Sequence, residues 1–217
     1  MQCHVFNRGL IGFQEGVRIQ NKCFDSVRNG DYEAALILCQ HHTVITVGRS
    51  AQADNIVRAR EYLDARGIAV INADRGGDVT FHGPGQLVAY PIFPLFKMGK
   101  DIHAYLRNLE EVGIRFLEMV GVEASRLPGR TGVWIENKKI SSIGVSVKKW
   151  ISLHGVSINI ENSCLAGYHY IRPCGMDITM TSVADCKGTD LTVEECLEYV
   201  LKAFCSVFKI SLCQEEV

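Results

Sequence analysis

The 217-residue chain is most informative in what it withholds. Charge of either sign is not in excess: 23 Lys and Arg face 24 Asp and Glu, a net charge of −1, so no global field draws the chain onto nucleic acid or an anionic membrane. Long apolar runs are missing, since Ala34 to Cys39 and Gly67 to Ile71 fall far short of the ~20 residues that span a bilayer. The start, Met1-Gln2-Cys3-His4-Val5, has neither the basic opening nor the apolar stretch of a secretory signal. No Cys-x-x-Cys pair occurs, and the nine cysteines are odd in number, which speaks against a disulfide scaffold or zinc ribbon. Prolines are only five, with no low-complexity tract or internal repeat to mark a linker, so 1–217 reads as a single domain. The composition, 47% hydrophobic and 22% charged, is that of a soluble globular protein, expected in the reducing cytoplasm.

The elements alternate. Apolar residues at helical spacing predict helices over 13–28, closed by Asn29-Gly30, over 102–119 and over 192–208, with a fourth near 56–66. Strands are expected at 34–39, 43–47 and 68–71, and again at 132–136, 139–147 and 150–160. Runs of strands with helices between them suggest a mixed α/β (α+β) sheet packed with helices rather than a strict βαβ repeat. Charge is locally uneven: 126–149 carries +5, a solvated face or a docking surface for an acidic partner, and 185–217 carries −4.

Three segments carry candidate chemistry. Arg75-Gly76-Gly77-Asp78-Val79-Thr80-Phe81-His82-Gly83-Pro84-Gly85-Gln86 bends twice around polar side chains. It is neither a P-loop nor a dinucleotide fingerprint, and reads either as a tight hairpin pair or as a ligand-lining loop. In Trp134 to Val147, a turn at Asn137-Lys138 joins two strands. Strict alternation then puts Lys139 on one face with Ser141, Ile143, Val145 and Val147, its head either snorkelling out or aimed into a pocket. Alternation likewise puts His154 with Trp150, Val156, Ile158 and Ile160, as a core histidine before a catalytic one. The third segment is Ile171-Arg172-Pro173-Cys174-Gly175-Met176. Cys23, Cys39, Cys196 and Cys205 sit in apolar strand or helix patterns and read as small core hydrophobes. Cys174 differs, being held between a rigid proline and a permissive glycine beside Arg172, a setting that favours a thiolate.

Together these segments resemble the lipoyl(octanoyl) transferase family. The resemblance is carried by Arg75-Gly76-Gly77-x-Val79-Thr80-x-His82-Gly83-Pro84-Gly85-Gln86-Leu87 continuing to Tyr90-Pro91-Ile92, and by Gly129-Arg130-Thr131-Gly132-Val133-Trp134. Lys138-Lys139-Ile140 with Ser142-Ile143-Gly144-Val145, His154-Gly155-Val156 with Asn159, and Pro173-Cys174-Gly175 complete it. The resemblance implies a biotin–protein-ligase-like fold related to class II aminoacyl-tRNA synthetase cores. It also implies transfer of octanoyl from acyl carrier protein to a lysine of lipoyl domains, the glycine-cleavage H protein among them. It assigns Cys174 as nucleophile and Lys139 as its partner, with substrate-binding residues Arg75, Gly76, Gly77, Asp78, Val79, Thr80, Phe81, His82, Ser142, Ile143, Gly144, Gly155, Val156 and Ser157. Backbone N–H groups near Gly76-Gly77 or after Cys174 would hold the oxyanion, and His82 would orient the acyl carbonyl or Lys139. No cofactor is implied, neither ATP nor metal, because thioester-to-amide transfer is downhill. A monomer suffices, and no nucleic acid or membrane partner is expected. Phe81 stands where the family commonly has tyrosine, and Ser157 where it has alanine. The alternatives are an ATP-dependent lipoate–protein ligase of the same fold, an enzyme moving octanoyl between lipoyl domains, and a non-catalytic carrier-binding module.

Overall fold

The computed structural model of the chain describes residues 1–175 and 177–214, with the side chains of Ala53, Cys174 and Gln214 outside the described set. In chain order the elements are β1 (Gln2–Ile11), α1 (Phe13–Asn29), β2 (Ala34–His41), β3 (Val44–Val47), α2 (Arg60–Asp64), β4 (Ala69–Asn72), β5 (Val79–His82) and β6 (Gln86–Ile92). There follow α3 (Ile102–Met119), β7 (Ser125–Leu127), β8 (Arg130–Ile135), β9 (Lys138–Lys148), β10 (Ile151–Asn159), α4 (Val183–Lys187), α5 (Val193–Phe208) and β11 (Ser211–Gln214). Among the described residues the strands form an eight-stranded sheet, ordered β11-β1-β2-β6-β10-β9-β8-β7, and a three-stranded sheet, β4-β3-β5. Both sheets mix parallel and antiparallel pairs, as in the parallel β1·β2 and antiparallel β2·β6 neighbours.

Period-two alternation explains why the central strands look apolar throughout. Along β2, Ala34, Leu36 and Leu38 enter the core shared with α3 and α5, whereas Ala35, Ile37 and Cys39 enter a second core with Cys23 and Val27 of α1. Strand β6 does the same, with Leu87 and Ala89 on one side and Val88, Tyr90 and Ile92 on the other. A strand buried on both faces has no polar side to show. The helices begin and end where local chemistry supplies the caps. Asp101 accepts from the Ala104 N–H at 3.0 Å, Thr192 and Glu195 form a capping box, and Gly30 takes the left-handed conformation after α1.

The helix expected over 56–66 is confined to Arg60–Asp64. The residues before it are used elsewhere: Val57 N–H donates to Tyr170 O at 2.9 Å, and Ile56 bridges Ile171. The turn expected at Asn137-Lys138 falls one residue earlier. Glu136 takes the positive φ, and Lys138 is the exposed first residue of β9.

The small sheet is fastened to the large one by the loop at 74–78. The Arg75 guanidinium is buried and donates to Thr46 O at 2.8 Å and Thr46 Oγ1 at 2.7 Å, while Gly76 N–H donates to Val145 O of β9 at 2.8 Å. Two glycines permit this approach. A Cβ on Gly48 would lie 2.3 Å from Gly77 O, and one on Gly144 would lie 3.1 Å from both Arg75 Cδ and Gly76 O.

Candidate active site

Between the two sheets lies a cavity of about 380 Å³. Its wall contains Arg75, Gly76, Gly77, Asp78, Val79, Thr80 and His82 from the glycine-rich segment, Lys139, Ser142, Ile143 and Gly144 from β9, and Gly155, Val156 and Ser157 from β10. Residues distant in sequence but singled out by one pattern therefore meet around one space. Phe81 is the exception. Its ring is turned into the core of the small sheet, 5.7 Å from Tyr168, because alternation along β5 gives Thr80 and His82 one face and Phe81 the other. Of Cys174 the backbone is described, as the middle of a 3-10 turn over Pro173–Gly175. Its side chain, and with it the expected Cys174–Lys139 contact, lies outside the described set. Pro173 of that turn lines the cavity.

The turn is pinned from outside the cavity. Arg172 N–H donates to Asn55 O at 2.8 Å, and the Asn55 side-chain amide donates to the Asp78 carboxylate, linking the turn to the glycine-rich wall. Downstream, the chain passes alongside Lys139. The Lys139 N–H donates to Thr179 O at 2.9 Å, and its carbonyl accepts from Thr181 N–H at 3.0 Å.

Lys139 does not share a face with Ser141. Val133 pairs with Ser141, but the next residue, Trp134, pairs with Lys139, so β9 carries one extra residue, Ile140, against β8. Val133 and Ser141 both approach Gly113 of α3. Trp134 and Lys139 lie on the opposite side, with the ammonium 5.3 Å from the indole centroid. The β-bulge resets the alternation and moves Lys139 from the helix layer to the cavity wall. His154 departs in the same way. Its φ is +57°, its N–H donates to Gln20 Oε1 of α1 at 2.7 Å, and its ring lies 6.4 Å from Phe13 and 6.1 Å from Tyr90, whereas Val156 and Ile158 pack with the other core. A left-handed non-glycine residue costs on the order of 1 kcal/mol or more and is found where the surroundings impose it.

The histidines beside the cavity are neutral. Gln86 donates its amide N–H to Asn159 Oδ1 at 2.9 Å and Tyr168 Oη at 3.0 Å, leaving its carbonyl to accept from His82 Nδ1–H at 2.6 Å. His82 therefore keeps Nε2 as an acceptor, and burial, aided by His41, pushes its pKa down to about 3. His41 donates Nδ1–H to Ile11 O at 3.1 Å and accepts at Nε2 from Tyr90 at 2.7 Å, and burial lowers its pKa to about 4. His154 is lowered to about 4 by burial and then by Arg75. Two expected oxyanion donors are already engaged: Gly76 N–H by Val145 O and Gly175 N–H by Arg172 O. Phe13, Tyr90 and Trp134 also line the cavity. The amphipathic pattern of α1 marks Phe13 only as apolar, and nothing in the alternation of β6 or β8 distinguishes a cavity aromatic from a core one.

Residues 13–205 match the lipoyl protein ligase A/B catalytic domain family. The chain is 39% identical over 208 residues to an octanoyltransferase of Clostridium kluyveri, covering 95% of this chain and 88% of the relative. It is 42% identical over 197 residues to an octanoyltransferase of a Geobacter species, covering 90% and 92%. In fold it is similar to lipoate-protein ligase A bound with ATP (TM-score 0.77, 15% identity, 100% of this chain and 90% of that one). It is also similar to biotin protein ligase of Aquifex aeolicus (TM-score 0.53, 14% identity, 96% and 70%). The expected biotin-ligase-like fold is thus the observed one, and the chain belongs to the lipoyl protein ligase A/B catalytic-domain family, among its octanoyltransferases.

Proposed function

We propose that this acyltransferase takes its octanoyl group from acyl carrier protein and delivers it to a lysine of lipoyl domains, through a thioester on Cys174. The observation that carries this reading is the convergence of Lys139, the 75–82 wall and Pro173 of the Cys174 turn on one cavity. Its wall is apolar enough, through Val79, Ile143 and Val156, to hold an acyl chain.

Lys139 as ammonium favours the Cys174 thiolate, since opposite charges in a partly dry site stabilise one another. The thiolate attacks the thioester carbonyl, the donor's C–S bond breaks, and the departing phosphopantetheine thiolate takes a proton from Lys139. In the second half the acceptor lysine attacks as a neutral amine, and a C–N bond forms. Neutral Lys139 takes the surplus proton, and the Cys174 thiolate leaves, restoring the starting pair. The balance closes without ATP or a metal, because a thioester lies above an amide in energy. His82, held neutral with Nε2 as acceptor, suits a role in orienting an N–H of the substrate rather than in donating a proton. The basic 126–149 segment borders the cavity through exposed Arg130, the side from which an acidic carrier would approach. The enzyme acts as a cytoplasmic monomer.

Incubation with octanoyl-carrier protein, followed by peptide mass spectrometry, should find an octanoyl adduct on Cys174 that disappears on addition of a lipoyl domain. A folded protein with a competent donor and no adduct overturns the mechanism. Activity from free octanoate and ATP, undiminished in Cys174→Ser, would favour the ligase alternative instead.

A further inference from the structure

We propose that Glu110 is a positioning residue for Lys139, acting through Gly132. The inference rests on the reading of Lys139 as the partner of Cys174. Glu110 sits on α3 and its side chain is 1% exposed, a carboxylate removed from water against β8. One oxygen accepts from Arg107 Nη1 at 2.7 Å and Arg126 Nε at 3.0 Å, and the other accepts from the backbone N–H of Gly132 at 3.1 Å. The arginines reach the surface, and Arg126 continues to Glu111 at 2.8 Å. A buried staple alone needs only these charges. The bond to Gly132 ties the carboxylate to β8 as well.

Gly132 is the floor under Lys139. Its φ is +129°, a conformation that favours glycine, and a Cβ there would lie 2.6 Å from Lys139 Cε and 3.3 Å from Nζ. The lysine side chain thus lies against a bare Cα, with the Trp134 ring beside it, and where that Cα sits sets where the ammonium sits. The approach of α3 is itself arranged. Gly113, one turn after Glu110, faces Val133, where a Cβ would come within 2.8 Å of Cγ2. Its absence lets the helix lie close enough for Glu110 to reach the strand. The chain of contact therefore runs from Gly113 to Glu110, from Glu110 to Gly132, and from Gly132 to Lys139.

The test separates reach from charge. Glu110→Asp keeps the charge for Arg107 and Arg126 but draws the oxygen back from Gly132. Glu110→Gln gives up the charge but keeps an oxygen at the right length. The rate of Cys174 alkylation is followed against pH by mass spectrometry of the Cys174 peptide, alongside kcat, on the folded full-length protein. Glu110→Asp, and Glu110→Ala if it folds, should raise the alkylation midpoint by up to about one pH unit, within the 1–3 units an adjacent charge contributes, and lower kcat by up to about 100-fold. Glu110→Gln should restore most of both. In a Lys139→Met background, Glu110→Asp should add nothing to the midpoint shift, because the group it positions is gone. Equal effects of Glu110→Asp with and without Lys139 would overturn the inference, leaving Glu110 a structural staple. So would a Glu110→Gln protein as impaired as Glu110→Asp. An unmoved midpoint in Lys139→Met itself would instead overturn the Cys174–Lys139 pairing, and this inference with it.

Discussion

Lys139 and Cys174 are presented by opposite kinds of structure. The lysine belongs to a strand inside an eight-stranded sheet, hydrogen-bonded through its own backbone to 179–181 and seated against Gly132. The cysteine's backbone belongs to a three-residue 3-10 turn that is packed against β5 and tied to Asn55 through Arg172. One side of the site is fixed by the collective stability of a sheet, the other by a few local bonds. A proton-handling group gains from a rigid mount. In the proposed mechanism the nucleophile meets two different partners in succession, and gains from a turn that single contacts hold in place.

That contrast is open to direct attack. Cys174→Ser should abolish measurable transfer, a loss of at least about 10³-fold, because an unactivated hydroxyl replaces the thiolate; steady-state assay with octanoyl-carrier protein measures it. Lys139→Met should lower kcat by roughly 10²–10⁴-fold, the range of general acid–base contributions, with little change in melting temperature. On the turn side, Asn55→Ala removes the amide that bonds Asp78 and should cost about 1–3 kcal/mol in urea unfolding. It should also lower kcat by about tenfold through loosening of the turn, a deficit that saturating substrate does not repair. If Asn55→Ala loses stability but keeps full kcat, the turn does not depend on that clamp.

A further expectation concerns acid. His41, His82 and His154 have folded pKa values of about 4, 3 and 4, below the ordinary 6.5. Above pH 6.5 both folded and unfolded chains carry them neutral, and these groups do not tilt the balance. As pH falls from 6.5 toward 4 the unfolded chain takes up the protons and the folded chain does not, so stability declines across that window. Urea midpoints between pH 7.5 and 4.5 read the slope. His82→Gln should flatten it, and an unchanged slope would show that His82 is not held neutral.

Much of this molecule was legible from its sequence, and the misses have common causes. Helices α1, α3 and α5 stand out because each has one apolar stripe and clear end signals such as Gly30 and Thr192. Strand β1 escapes because Asn7, Arg8 and Gly9 interrupt its pattern, and its pairing with β2 and β11 supplies what local sequence does not. Strand β6 escapes because Pro91 sits inside it and its residues are buried on both faces. The cavity wall was legible as a set of residues, Phe81 apart, but not as an orientation. Strict alternation misplaces both Lys139 and His154, one through a bulge and the other through a left-handed residue, and both line the cavity. Departures from local rules concentrate where function needs a side chain aimed against its strand's own pattern.

The bulge at Ile140 makes the lysine's placement a matter of parity. Lys139 and Ser141 are two residues apart yet on opposite faces, and without the bulge the same spacing would turn the lysine to the side of Ser141. Residues added to the turn at 136–137 would leave the pairing of Trp134 with Lys139, and so the lysine's side, unchanged.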